Sequence, residues 1–120
     1  MEFIISILVV FVALEHLGFL YLEMFLWDKK QGRKIFGHSK EEAEKTRVLA
    51  ANQGLYNGFL AAGLIWGFFH PNPAFSYQII LFFLLCVIVA GVYGAMTAKV
   101  SILYLQALPA LVTASLLVFL

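Results

Sequence analysis

Charge is scarce in this chain of 120 residues: 12% of them are charged and the formal net charge is +1. That leaves no electrostatic footprint for nucleic acid or another polyanion read through overall charge. Cysteine is scarcer still. Cys86 stands alone, which excludes an internal disulfide and reads as a packed thiol inside a hydrophobic run. No His/Cys cluster is present. His16 with Glu15 and Glu23 is a poor metal-ligand set, so neither a metal nor a cofactor is expected. Gly-rich phosphate loops and Ser/His/Asp arrangements are missing as well. No basic leader precedes the first apolar run, which follows Glu2 and is interrupted by Glu15, so the N-terminus does not read as a cleaved signal.

What fills the chain is apolar: 62% of residues are hydrophobic, against about half in an ordinary soluble domain. Four runs are long enough to span a bilayer, which takes roughly 20 helical residues. They cover about 3–27, 48–69, 75–98 and 101–120. Backbone groups in lipid must be satisfied within their own segment, so each run is expected to be helical. The expected architecture is all-α, a single integral membrane four-helix bundle whose first partner is the lipid bilayer.

The hydrophilic residues concentrate between the first two runs. Lys29, Lys30, Arg33, Lys34, Lys40, Lys45 and Arg47 are seven of the eight basic residues, and Lys99 lies between the third and fourth runs. The connection His70-Pro71-Asn72-Pro73 has no Lys or Arg. The positive-inside rule therefore places the basic loop and the Lys99 connection in the cytoplasm, with both termini outside, as in a bacterial inner membrane. Within the basic stretch, Ser39 followed by Glu41 and Glu42 predicts a helix N-cap, and the run from Lys40 to Arg47 extends the second helix or lies along the interface. Gly32 and Gly37 bracket a short loop that could tuck Ile35 and Phe36 among headgroups. Its basic residues read as a solvated face near anionic lipid. Trp27, Trp66 and Tyr77 near run ends read as interfacial anchors, and Pro109 is expected to kink the fourth helix.

Glu15 and His16 lie side by side near the middle of the first run, where a charged group costs about 3 kcal/mol on insertion scales. Glu23 is seven residues beyond His16 and shares its helix face. The second helix runs the opposite way. It places Asn52 and Gln53 at the depth of Glu23, with Tyr56 and Asn57 following and Asn57 deeper, nearer His16. Gln106 on the fourth helix enters at a similar depth. Together these residues predict a polar pocket open to the cytoplasm, closed on the outer side, with Glu15 and His16 at its floor. The purely structural account is a network of interhelical hydrogen bonds. Small residues at four-residue spacing (Gly54, Gly58 and Ala62; Ala90, Gly94 and Ala98) and the pair Gly63 and Gly67 read as packing seams within one bundle, a homodimer contact being the alternative.

The strings ALEHLGFLYLEMFLW, VLAANQGLYNGFLAAGLIWG, VIVAGVYGAMT and LQALPALV resemble those of small bacterial four-helix membrane proteins grouped as domain of unknown function 1304. The resemblance spans nearly the whole chain and implies the same four-helix fold. It supplies no activity. Glu15, His16, Glu23, Asn52, Gln53, Tyr56 and Asn57 carry the match. Small multidrug exporters are similar in length, helix count and a first-helix glutamate, which is analogy alone.

Three functions are compatible with this pattern. The first is a binder or transporter of a small molecule or ion, with Glu15 as the coupling group and His16 tuning it. The second is a membrane enzyme using Glu15 and His16 as base and acid on a lipid-like or small substrate, with Asn52, Gln53 and Asn57 orienting it. Residues adjacent on a helix point about 100° apart, so a substrate would have to bridge them. The third is a structural or regulatory subunit that sets packing or senses pH through His16.

Overall fold

A computed structural model describes residues 1–120. The chain has five α-helices and no strand, one helix more than the four hydrophobic runs predict. They are α1 (Phe3–Phe25), α2 (Lys30–Phe36), α3 (Lys40–Phe69), α4 (Pro73–Thr97) and α5 (Leu108–Phe119), with a π-helical turn at Leu103–Ala107. Two of them, α1 and α4, are long and apolar enough to cross a membrane, and Leu103–Phe119 is a shorter apolar helix. The chain packs as two compact units, Leu14–Ala61 and Met1–Ala13 with Ala62–Leu120. Both α1 and α3 run through the two.

In the unit formed by the N-terminus and Ala62–Leu120, buried side chains repeat at helical spacing. Ile5, Val9 and Val12 form the stripe on α1, and Ile80, Leu84 and Val87 form that on α4. The link from α3 to α4 is tight. Asn72 caps α4, its Oδ1 accepting from the Ala74 and Phe75 amides at 2.9 and 3.2 Å, and Pro73 follows in the first turn, where it loses no helical bond. Ser76 Oγ donates to the Gly67 carbonyl at 2.7 Å. Gly63 lies under the Phe83 ring, and a Cβ at Gly67 would stand 2.8 Å from Ile80 Cγ1, so the pair is a seam between α3 and α4 within the chain. On α4 the closest approach is made by Gly91, where a Cβ would stand 2.7 Å from the Ala107 amide nitrogen; the expected Ala90-Gly94-Ala98 row contributes only Gly94, against Ile102. The fourth run is not one plain helix. Leu108 N–H bonds back to the Leu103 carbonyl, completing the π turn, and Pro109 follows directly.

The unit Leu14–Ala61 is built around the basic stretch. Trp27, expected as an interfacial anchor, is 9% exposed and packs with Ala43, Ala50 and Phe36. Its Nε1 donates to Thr46 Oγ1 at 3.0 Å, and its ring lies 4.6 Å from that of Phe36 and 4.7 Å from that of His38. Phe36 therefore packs inside the protein rather than among headgroups, and Ile35 alone stays exposed. Gly37 takes a left-handed conformation (φ 72°) that ends α2, its amide and that of His38 both closing on the Arg33 carbonyl. Ser39 then caps α3. Its Oγ accepts from the Glu42 amide at 3.1 Å and its hydroxyl donates to Glu42 Oε1 at 3.2 Å. That cap is why α3 begins at Lys40 rather than near Val48.

Candidate functional site

Glu15 and His16 occupy the middle of α1, and their environments differ. His16 is fully buried, with Phe19 edge-on at 5.2 Å between ring centroids. Glu15 is half-buried, and its Oε1 is shielded from solvent without a hydrogen-bond partner. Buried polar atoms are nearly always paired, and leaving one unpaired costs about 1–3 kcal/mol. Glu23, two turns further along, is 9% exposed and does have a partner: Asn57 Nδ2 donates to its Oε1 at 2.5 Å.

Glycines on α3 explain that pairing. A Cβ at Gly54 would stand 2.7 Å from Met24 Cγ and 3.1 Å from the Leu20 carbonyl oxygen, and one at Gly58 would meet Leu20 Cδ1. Here α3 lies close against α1, and Gly54, Asn57, Gly58 and Ala61 form its inward face. Those two glycines are thus used for packing within the chain. Asn52, Gln53 and Tyr56 fall on the other side of the helix and are exposed. The partner of Glu23 is therefore Asn57, not the Asn52-Gln53 pair that depth alone selects. Tyr56 rests edge-on against Phe59 at 5.8 Å. Gln106, within the π turn of the other unit, is half-buried.

The eight candidates thus divide. Glu23 and Asn57 are brought into contact, Glu15 is half-buried and His16 buried on α1, Asn52, Gln53 and Tyr56 face outward, and Gln106 lies half-buried in the other unit. A cavity of about 500 Å³ lies elsewhere, lined by Met1, Glu2, Ser76, Tyr77 and Leu120 among others, and none of the eight lines it. Arg33 was not singled out from the sequence. Its Nε is buried without a partner, and the signal available was its neighbour Gly32, a lone glycine in a basic run where another backbone comes close.

Residues 10–118 match the family described as "Protein of unknown function (DUF1304)". The chain is 34% identical over 108 residues to "Uncharacterized protein YpaA" of Lactococcus lactis subsp. lactis (strain IL1403), a match covering 88% of this chain and 89% of that relative. No solved structure matches the chain.

Proposed function

The chain belongs to the DUF1304 family of proteins of unknown function, and on that premise we propose that it is a small multi-pass membrane protein that binds and transports a small cation or proton at Glu15. Three features support the membrane. Two helices have the necessary length and apolarity. Their outward faces are greasy, with Phe11, Phe82 and Val89 all exposed, a surface that a soluble monomer rarely keeps. The basic residues gather on connections that alternate with the uncharged His70-Asn72 turn. The four apolar segments then cross as a bundle in a bacterial inner membrane, termini outside.

One observation carries the choice of Glu15: a carboxylate oxygen buried without a partner near the middle of an apolar helix. A merely structural group there would be answered by a donor, as Glu23 is by Asn57. A carboxylate can take a proton, a metal-free organic cation or an N–H donor, and His16 at the next position supplies a second proton-exchanging group. The Glu23–Asn57 bond is, on this reading, the tie that holds α1 to α3 while Glu15 is loaded and emptied. That same bond favours the structural reading for Glu23 itself.

The test is flux. Purified full-length protein in liposomes with an entrapped pH dye is given an acid pulse. Wild type is expected to admit protons faster than empty liposomes, and Glu15→Gln to fall to the empty-liposome rate with its helix content unchanged. Equal rates for wild type and variant, or wild type no faster than empty liposomes, would overturn the assignment.

A further inference from the structure

Four cations stand within six residues at the end of α1: Lys29, Lys30, Arg33 and Lys34. No acid lies in α2. None of the four pairs with a carboxylate; the contact of this kind in the region is between His38 Nδ1 and Glu42 Oε2, at 3.7 Å. Glu42, the acid facing this segment from α3, is further engaged by the Ser39 hydroxyl. Lys29, Lys30 and Lys34 are exposed, and Arg33 is half-buried with an unanswered Nε.

This cluster is held in place. Gly32 sits so close against the turn that follows α1 that a Cβ would fall on the Leu26 carbonyl. Phe36 and His38 pack on Trp27, which is bonded to Thr46. A flexible loop would let like charges spread apart. Here a docked helix keeps them together with Asp28 as the one acid of the segment, which leaves a net positive surface that an anion from outside the chain would stabilise.

We propose that α2 is a binding surface for the phosphate of anionic phospholipid headgroups, with Lys29, Lys30, Arg33 and Lys34 as its cations. The occupant is lipid rather than a dissolved anion because only four residues separate α2 from the end of the apolar helix α1, and Ile35, 61% exposed beside Lys34, offers an apolar contact at the same level. Juxtamembrane basic clusters bind acidic lipid in this way. The inference rests on the membrane reading of α1 but not on the role of Glu15.

Native mass spectrometry tests it, with the full-length protein released from maltoside micelles containing equal phosphatidylglycerol and phosphatidylcholine. Wild type is expected to retain phosphatidylglycerol preferentially. The triple variant Lys29→Gln/Lys30→Gln/Lys34→Gln should lose that preference, by up to roughly a hundredfold if each lysine acts as in polybasic segments. Lys45→Gln/Arg47→Gln, outside the cluster, should keep it, and inorganic phosphate at the same concentration should not displace the lipid. Equal retention of the two lipids, a triple variant that keeps the preference, equal loss in the α3 variant, or displacement by inorganic phosphate would each overturn the proposal. Alkaline extraction of membranes separates the two failures. If the wild type is extracted, the membrane reading falls; if it stays and shows no lipid preference, only the headgroup surface falls.

Discussion

Gly32→Ala sets two effects against each other, and the structure decides the sign. On helix propensity alone, alanine should stabilise α2 by about 0.8–1 kcal/mol over glycine. The contact says otherwise. The new Cβ would overlap the Leu26 carbonyl oxygen and lie 3.1 Å from Trp27 Cα. These are backbone atoms, which cannot rotate aside as a side chain can. Overpacking costs about 1–3 kcal/mol where neighbours can adjust, and the upper end applies against backbone. Lifting α2 also strains the Phe36–Trp27 packing and the Trp27–Thr46 hydrogen bond, worth about 1 kcal/mol. The net expectation is a loss of about 2–3 kcal/mol in the docking of α2. Trypsin reads it directly, since Lys29, Lys30, Arg33 and Lys34 are its sites. Where cleavage follows the population of the opened segment, the variant should be cut about 30–150-fold faster under native conditions. Gly18→Ala is the control. A Cβ there meets nothing within 4 Å, so cleavage at α2 should not change. A Gly32→Ala protein cut no faster than wild type would refute the close docking of α2, and with it the rigidity on which the headgroup surface depends.

Two further substitutions probe the unit Leu14–Ala61. Ser39→Ala removes the cap that starts α3 and should destabilise that segment by about 1 kcal/mol, seen as faster amide exchange over 40–46 with no change at 55–61. Asn57→Leu takes the donor from Glu23 and should lower stability by about 0.6 kcal/mol, at most about 1.7, in reversible unfolding from mixed micelles. An Asn57→Leu protein as stable as wild type would remove the tie assigned to the Glu23–Asn57 bond.

Much of the helical layout was legible because apolar runs and caps are local signals. The Ser39 cap announced the start of α3, and Gly54, Gly58, Gly63 and Gly67 marked where helices approach, whereas the Asn72 cap that starts α4 was not read from the sequence. What a single sequence does not display is which neighbour a residue meets. Trp27 follows an apolar run and so resembles an interfacial anchor, yet its ring is enclosed by Phe36 and His38, which come from beyond a glycine turn. The fourth run reads as an α-helix with a proline, but the register shift at Leu103–Ala107 depends on its fit beside α4, where Gly91 meets Ala107.

The candidate site shows the same division between depth and direction. Depth follows from counting residues at about 1.5 Å each, and it grouped Glu23 with Asn52 and Gln53. Direction is set by the helix face that the glycines turn inward. Gly54 and Gly58 against Leu20 and Met24 rotate Asn57 onto Glu23 and leave Asn52, Gln53 and Tyr56 outside. Glu15 stands apart for the opposite reason. Burial shields one of its oxygens, and no side chain answers it. A residue needed only for packing would not be held that way at a cost of about 1–3 kcal/mol. That contrast between an answered and an unanswered carboxylate, eight residues apart on one helix, is the ground on which the proposed function gives Glu23 the tie to α3 and Glu15 the ligand.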